Sequence, residues 1–176
     1  MKQGEMPWTL SHRCDPFGRQ IADRHYNRQS HGAPNFVPPG RCLVLTAEVG
    51  GGRALWVTSW PFAEYTKHAW AGSWVCSAFR NEGAGLSSDL IRAAVAATVW
   101  RYGAAPEPHG FITFVDRSKT KPKRNPGYCY LRAGWEHCGR TKGGLHTLRL
   151  TPDKMPKPRA PLGATLGLFA GLGHSV

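Results

Sequence analysis

The sequence predicts a single mixed α/β domain, and three observations support this prediction. The chain has 176 residues, which is enough for one sizeable core and short for two domains. Two runs rich in apolar residues, 42–49 (CLVLTAEV) and 53–60 (RALWVTSW), flank a triple glycine and predict a β-hairpin. Then follow an apolar run at 73–79 (SWVCSAF), a glycine-rich turn, a helical pattern and a second run at 110–116 (GFITFVD). That order predicts strand, turn, helix and strand.

Cap signals and residue patterns predict three helices. Asp15 followed by Pro16 is typical of a helix start, and the residues beyond them predict a helix that reaches Tyr26. The helix after the glycine-rich turn has Ser87 or Ser88 as its candidate cap. Its broad apolar face consists of Leu90, Ile91, Ala94, Val95 and Val99.

The sequence of the last third of the domain predicts one more helix and one more strand. The segment 128–139 (YCYLRAGWEHCG) predicts a short helix that ends at a glycine, and 145–150 (LHTLRL) predicts the final strand. The chain then divides into an N-terminal arm at 1–14, a domain at 15–150 and a Pro/Gly-rich tail at 151–176. Within the tail, Leu166 to Leu172 are candidates for covering an apolar surface.

The charge of the chain indicates a polyanionic partner. Lysine and arginine number 23 against 11 acidic residues, a formal net charge of +12. Nucleic acid is the natural partner for such an excess, and the alternative is a soluble basic protein without one. The densest basic stretch follows the strand at 110–116, and there phosphate contact and a merely solvated charged loop are both open. Its residues are Arg117, Lys119, Lys121, Lys123 and Arg124.

Five cysteines, an odd number without a C-x-x-C pair, predict free thiols in a reducing compartment. No apolar run approaches the roughly 20 residues that span a bilayer, and the N-terminus lacks the apolar segment of a signal peptide. We therefore expect a cytoplasmic protein that does not associate with membranes.

The glycine-rich turn is a candidate phosphate site. Arg80, Gly83 and Gly85 have an R-x-x-G-x-G spacing directly before the helix. Glycines allow main-chain N–H groups to point inward, and the positive end of the helix dipole attracts an anion. The alternative is a turn that needs glycine for backbone reasons alone. The candidate cofactor-binding residues are Arg80, Asn81, Gly83, Ala84, Gly85, Ser87 and Ser88.

The order of elements resembles the GNAT acyltransferase fold. In that family the glycine-rich turn holds the pyrophosphate of acetyl-CoA, and a later helix carries a tyrosine followed by a Gly-aromatic pair. Tyr130 with Gly134-Trp135 matches that second motif here. The resemblance implies a mostly antiparallel central sheet flanked by helices, with acetyl-CoA or another small molecule as donor. Glu82 does not suit a pyrophosphate turn; it can point away, pair with an arginine, or indicate a different donor.

A narrower similarity is to the phage Mom DNA-modification proteins, a divergent GNAT branch. It rests on His25-Tyr26 before the first strands, Asp116 closing the central strand, a tyrosine (Tyr128) shortly after it, and Phe79-Arg80-Asn81-Glu82 as the phosphate turn. The resemblance covers about 15–150. It implies an enzyme that converts adenine in DNA to an N6-carbamoylmethyl derivative in the host cytoplasm and so blocks restriction. It also implies that His25, Tyr26, Asp116 and Tyr128 are catalytic and bind iron, for which imidazole, phenolate and carboxylate are suitable ligands.

Double-stranded DNA is the implied partner, and both a monomer and a homodimer remain open. The candidate DNA-binding residues are Arg24, Arg28, Lys119, Lys121, Lys123 and Arg124. An adenine that is to be modified has to leave the duplex stack. Candidates for holding the flipped base are Trp60, Tyr65 and Trp70, with packing in the core as the alternative for these side chains.

Two other functions remain open at this point. One is a conventional acetyl-CoA-dependent N-acetyltransferase acting on the amine of a small molecule, a protein or a hypermodified base. In such a mechanism Asp116 or His25 would be the base, and Tyr128 or Tyr130 the acid. The other is a basic DNA-binding protein that has the fold without catalysis.

Overall fold

A seven-stranded, mostly antiparallel sheet forms the centre of a single mixed α/β domain. The computed structural model describes residues 5–120 and 125–165. The strands are β1 Thr9–Ser11, β2 Arg41–Val49, β3 Gly52–Trp60, β4 Trp74–Glu82, β5 Phe111–Val115, β6 Glu136–Arg140 and β7 His146–Leu150. The helices are α1 Pro16–Ala22, α2 Ser87–Tyr102 and α3 Tyr128–Arg132, with single 3-10 turns at Ala63–Tyr65, Arg117–Lys119 and Pro152–Lys154.

The strand order is β1-β2-β3-β4-β5-β7-β6, and β4 and β5 are its parallel pair. This pair is short: Trp74 lies opposite Phe111, Val75 opposite Ile112, and Cys76 opposite Thr113. β4 then continues as far as Glu82, still paired with β3 on its other side. The sheet therefore opens between β4 and β5 at their carboxyl ends.

The predicted hairpin is confirmed. β2 and β3 pair from Arg41–Trp60 to Val49–Gly52, with Gly50 and Gly51 in the turn at φ +57° and +80°. Two successive residues with positive φ suit the right-handed twist of a tight hairpin, and glycine adopts that conformation without steric cost.

Alternation along the hairpin divides the core between the two faces of the sheet. Leu45 and Trp56 belong to the large cluster that α2 covers, whereas Val44 and Leu55 belong to the cluster that α1 covers. A strand with helices on both faces is apolar at nearly every position, as the buried centres of β2 and β3 show. The predicted apolar face of α2 packs into the larger cluster.

The first predicted helix starts where expected and ends earlier. The Asp15 carboxylate accepts a hydrogen bond of 3.0 Å from the Phe17 amide, which confirms the cap. The prediction that the helix reaches Tyr26 is wrong, because α1 ends at Ala22. The Asp23 side chain there pairs with Arg28 and accepts from the Gly32 amide, which holds the following loop outside the helix.

Three details of the later elements also differ from the predictions. β4 extends through Glu82, so the first residues of the glycine-rich turn are strand. Leu86 is the N-cap of α2 and makes no side-chain cap bond, so neither Ser87 nor Ser88 caps it. α3 ends at Arg132, because Gly134 at φ +96° takes the chain out of the helix and into β6.

Both ends of the described chain pack on the domain. Trp8, from the segment expected as an arm, is fully buried and donates its indole N–H to the Leu90 carbonyl at 2.9 Å. Leu162, from the segment expected as a loose tail, exchanges main-chain hydrogen bonds with Trp8 and Leu10. The apolar stretch from Leu166 to Leu172 lies outside the described residues.

All five cysteines are free thiols, as their number and spacing predicted. Among the described residues, none of the helices combines the length and apolar character that crossing a membrane requires.

Candidate functional site

A cavity of about 850 Å³ lies where β4 and β5 separate. Its walls come from β4, β5, the amino end of α2, α3 and the loop after α1. The volume is that of sites for cofactors and drug-sized ligands. The opening of the sheet therefore produces a cavity large enough for a small molecule.

A register shift in β4 shapes one wall of the cavity. Val57 of β3 lies opposite Ala78, and the next residue, Thr58, lies opposite Cys76. Ser77 is therefore an extra residue with none opposite it in the register of β3. The Ser77 hydroxyl contacts the Ser59 hydroxyl at 2.9 Å, and its carbonyl accepts from the Asn27 amide at 2.9 Å. An extra residue bends a strand and redirects its main-chain groups, here at the point where β4 leaves β5.

The loop after α1 brings His25 and Tyr26 to the cavity. Their rings stack at a centroid distance of 4.6 Å. His25 Nδ1 contacts Asn27 Oδ1 and also lies 3.3 Å from the Asn27 main-chain nitrogen, and these contacts hold the imidazole in place. Burial lowers the pKa of His25 below its ordinary 6.5, opposed by the Asn27 contact and the Phe79 main chain. His25 is therefore a neutral imidazole at pH 7, which suits a proton acceptor.

The Tyr26 phenol lies close to the main-chain amide of Asp116. Burial raises the pKa of the Tyr26 phenol, and the nearby Asp116 amide opposes the shift. The Asp116 carboxylate itself caps the 3-10 turn after β5, accepting from the Ser118 amide at 2.9 Å and from its hydroxyl at 2.7 Å. These bonds lower the pKa of Asp116.

Of the four predicted catalytic residues, the cavity therefore collects three. His25, Tyr26 and Tyr128 line it, whereas Asp116 lies beside Tyr26 with its carboxylate bound to Ser118. Among residues 5–120 and 125–165, no group of three or more His, Cys, Asp or Glu side chains is arranged to hold a metal. Two of the four residues predicted to bind iron are tyrosines, which such a group does not include, so iron binding stays a prediction.

The glycine-rich turn meets the cavity through part of its length. Asn81, Gly85, Ser87 and Ser88 line it, and Arg80, Gly83 and Ala84 do not. The Asn81 side chain holds the turn together: it accepts from the Ala84 amide at 3.0 Å and donates to the Gly85 carbonyl and the Ser87 hydroxyl.

The amino end of α2 is the part of the turn that suits an anion. The first N–H groups of a helix have no partner within it. Here they adjoin the cavity beside Ser87 and Ser88. A phosphate of a donor molecule fits this end better than it fits the Ala84 amide, which Asn81 already occupies.

Glu82 pairs with arginines, which was one of the three possibilities that its position in the turn left open. It contacts Arg24, Arg53 and Arg80. The hydrogen bonds from Arg24 and Arg80 lower the pKa of Glu82 from 4.5 to about 2.

Tyr130, one of the two candidate acids, forms a buried polar pair at the cavity with Cys76, which was not singled out from the sequence. The Cys76 thiol contacts the Tyr130 hydroxyl at 3.3 Å, and the Thr113 hydroxyl donates to the Cys76 carbonyl at 3.2 Å. Burial raises the pKa of the Cys76 thiol to about 12 and also raises that of Tyr130. Both groups therefore stay protonated at neutral pH.

Asn27 and Arg132 were also missed. Asn27, two residues after His25, makes a short-range side-chain contact typical of asparagine, and that spacing was the available signal. Arg132 lines the cavity at the end of α3, and its carbonyl accepts from the Arg92 guanidinium. The residue pattern within one helix does not indicate which residue of another helix it contacts.

The predicted DNA-binding residues have different environments. Lys119 lines the cavity, whereas Arg24 does not and is bound to Glu82. Arg28 is largely buried, pairs with Asp23 and donates to the Ala33 carbonyl, so it holds its own loop. Lys121, Lys123 and Arg124 lie outside the described residues.

The tryptophans proposed to hold a flipped purine belong to the core. Trp60 packs edge-on against Trp74 and Tyr102, and Trp70 packs against Phe114. Neither Trp60 nor Trp70 lines the cavity. The Tyr65 side chain lies outside what the structure describes.

Comparisons of the chain with protein-family models, curated proteins and solved structures give no match. The cavity and the sequence resemblance are therefore the basis on which a function can be proposed.

Proposed function

We propose that the protein is a GNAT-like, DNA-modifying enzyme of the Mom type that attaches a carbamoylmethyl group to N6 of adenine. One observation carries this proposal: a single cavity joins the His25-Tyr26 pair and Tyr128 to the amino end of α2, at the separation of two parallel strands. These are three of the four active-site residues, and the end of the turn, on which the sequence resemblance rests.

The separation of β4 from β5 supports a donor bound in extended form. Beyond Cys76, the main-chain groups of β4 on the side of β5 are no longer paired with that strand. An extended amide-containing molecule can hydrogen-bond such an edge in the way that an added strand does. The amino end of α2 then accepts the anionic part of the donor. An extended donor with an anionic end suits both features.

The exposed aromatic rings of the cavity support a nucleobase substrate. Tyr26 and Tyr128 are exposed and both line the cavity. An adenine of duplex DNA has to be flipped out before chemistry at N6, and aromatic side chains hold flipped bases by stacking. Tyr26 and Tyr128 replace Trp60 and Trp70 as the residues proposed for this role.

His25 is the better placed of the two proposed bases. It is neutral and lines the cavity, whereas the Asp116 carboxylate caps a turn. In the transfer, N6 of adenine loses a proton to His25 and forms a bond to the donor carbon. The donor's leaving group departs with the electron pair of the broken bond and takes a proton from a tyrosine. Because the carbamoylmethyl group is attached through its methylene carbon, the donor has to carry its leaving group on that carbon. Acetyl-CoA carries its leaving group on the carbonyl carbon and would give an acetyl adduct instead.

Mass spectrometry of nucleosides tests the proposal. DNA from cells expressing the wild-type protein should contain adenine with a carbamoylmethyl group, and His25→Ala should remove the adduct while leaving the thermal unfolding of the protein unchanged. Arg159→Ala is a matched control, since Arg159 is exposed and its main-chain amide alone bonds the domain, to the Ala96 carbonyl. Unmodified DNA from cells with abundant folded protein would sink the proposal.

A conventional N-acetyltransferase is the second candidate, and Tyr130 is the observation that favours it. A buried, protonated phenol at the cavity is suited to protonating the thiolate of a departing coenzyme. The same nucleoside measurement separates the two functions on DNA, because an acetyl adduct belongs to this candidate. Acetylation of a protein or small-molecule amine is detected by mass spectrometry of those molecules. DNA binding without any adduct indicates the non-catalytic alternative.

A further inference from the structure

We infer that Arg24, Arg53 and Arg80, held together by Glu82, form a binding site for the DNA phosphate backbone beside the cavity. We call these three side chains the arginine cluster. The inference rests on the proposed function for its partner, duplex DNA. It assigns Arg53 and Arg80 to DNA, and so removes Arg80 from the residues that bind the donor.

The geometry of the cluster is set by one carboxylate. Arg24 donates to Glu82 through Nε at 2.7 Å and through Nη2 at 2.6 Å. Arg80 donates to it through Nε at 2.7 Å, and Arg53 Nη2 lies 3.5 Å from it. Glu82 occupies one or two N–H groups of each guanidinium, so other donors of all three remain for a ligand.

Three separate elements supply the arginines. Arg24 follows α1, Arg53 is near the start of β3, and Arg80 is in β4. The β2–β3 turn reaches the glycine-rich turn because Gly52 has no side chain: an added Cβ would lie 2.1 Å from the Gly83 carbonyl carbon. The resulting bridge between Arg53 and Gly83 places Arg53 next to Glu82.

The cluster retains a positive charge after the internal pairing. Three guanidiniums face one carboxylate, and Glu82 stays ionised because its pKa is about 2, so these four side chains together carry a net charge of +2. Two other carboxylates are near: Glu48 is opposite Arg53 in the hairpin, and Asp23, next to Arg24, pairs with Arg28. The three arginine side chains are 34–41% exposed, so an anion has access to them. Arg28 differs, since it is paired one to one with Asp23 and its side chain is only 9% exposed.

The position of the cluster favours the DNA backbone over the donor. Neither Arg53, Arg80 nor Glu82 lines the cavity, whose own anion site is the amino end of α2. Arg80 is nevertheless close enough to His25 to lower the pKa of that imidazole. A nucleotide flipped towards His25 brings its flanking phosphates to the edge where the cluster lies. A planar guanidinium can bind two oxygens of one phosphate at once, so the arginine cluster is suited to the phosphates of a DNA backbone.

Salt-dependent binding of duplex DNA tests the inference. The affinity of wild type, Arg53→Ala, Arg53→Lys and Arg159→Ala is measured by fluorescence anisotropy over a series of salt concentrations. Each lost phosphate contact should reduce the slope of log affinity against log salt by about 0.9. We therefore expect a lower slope for Arg53→Ala, and wild-type slopes for Arg53→Lys, which keeps the charge, and for Arg159→Ala. The change should not depend on base sequence, since phosphates carry none.

A parallel arm identifies the ligand of the cluster. Acetyl-CoA binding, followed by calorimetry, should be the same in wild type and Arg53→Ala. An unchanged DNA slope in folded Arg53→Ala overturns the inference, as does a loss of acetyl-CoA binding with the DNA slope preserved. The nucleoside measurement judges the proposed function separately: a slope that depends on the cluster without any adenine adduct supports the inference and contradicts the enzyme.

Discussion

Asn27 donates a hydrogen bond of 2.9 Å from its side-chain amide to the Ser77 carbonyl, and this contact connects the His25 loop to the irregular part of β4. The same amide presents its oxygen to His25 Nδ1. One side chain thus orients the proposed base relative to the strand that forms the cavity wall. Because Ser77 has no partner on β3, its carbonyl is in an unusual position that a regular strand would not provide.

Replacing Asn27 should therefore impair the proposed reaction without unfolding the protein. In Asn27→Ala, His25 loses the side-chain contact that orients its ring, and we expect the rate of adduct formation to fall about 10- to 100-fold. Asn27→Asp should also raise the pKa of His25, since a carboxylate stabilises imidazolium. As pH is lowered, the rate of the variant would then start to decline at a higher pH than that of wild type, because His25 is protonated earlier. Equal pH–rate profiles for wild type and Asn27→Asp would contradict the positioning role.

Glu82 should make the stability of the protein dependent on pH in the acidic range. Its pKa is about 2 in the folded protein against an ordinary 4.5, so the unfolded chain binds more protons between these values. The stabilisation is complete above pH 4.5 and is lost as pH falls towards 2. The arginines are exposed to solvent, which screens the pairs and limits the contribution to about 1 kcal/mol.

Urea unfolding of wild type and Glu82→Gln at several pH values measures this contribution. The variant should be less stable by about 1 kcal/mol at pH 7, with the difference shrinking as Glu82 becomes protonated in wild type. A difference that stays constant down to pH 2 would show that the effect is not due to ionisation.

Gly52→Ala should destabilise the fold and disturb the arginine cluster. The new Cβ would lie 2.1 Å from main-chain atoms of Gly83, so the two turns have to separate, and overpacking of this kind costs about 1–3 kcal/mol. The DNA salt slope should fall together with the stability, because Arg53 moves with the turn. Gly50→Asn is the matched control: φ is +57° and nothing lies within 4 Å of an added Cβ.

Thermal unfolding and anisotropy compare these two variants. Asparagine accepts positive φ in tight turns, so Gly50→Asn should change stability by less than about 0.5 kcal/mol and leave the slope unchanged. Equal stabilities for Gly52→Ala and Gly50→Asn would mean that the contact between the turns is not tight.

Two tyrosines compete for the role of proton donor, and their phenylalanine variants separate them. Tyr130→Phe removes the hydroxyl beside Cys76 and keeps the ring, whereas Tyr128→Phe leaves a ring able to stack on a base. If Tyr130 is the donor, its variant should lose about 100-fold in rate and Tyr128→Phe much less. Single-turnover measurements with the adduct as readout decide this, and the reverse order would assign the role to Tyr128.

The parts of the fold that were predicted correctly are those governed by local patterns. The β2–β3 hairpin follows from apolar runs around glycines, and the start of α1 follows from Asp15 and Pro16. β6 was missed because residues 136–140 are largely polar and form an edge strand, which needs little apolar surface. β1 was missed because a strand of three residues is too short to show a period.

For the site, the residue types came from the sequence and the grouping from tertiary contacts. His25, Tyr26 and Tyr128 were predicted together and line one cavity, but Asp116 was assigned its role without the Ser118 contact that occupies its carboxylate. Composition and motif spacing describe residue types and their separation along the chain, and not which residues meet in space. For that reason they indicate an α/β sheet, a basic surface and an anion-binding turn.

Tertiary structure decided which atoms remain available for chemistry. The opening between β4 and β5, the Asn27–Ser77 contact and the meeting of Arg24, Arg53 and Arg80 around Glu82 all join residues distant in the sequence. Hydrogen bonds and ion pairs act over a few ångströms of space regardless of chain separation. The sequence by itself therefore determined the kinds of groups that this protein carries, and folding determined which of them face a ligand.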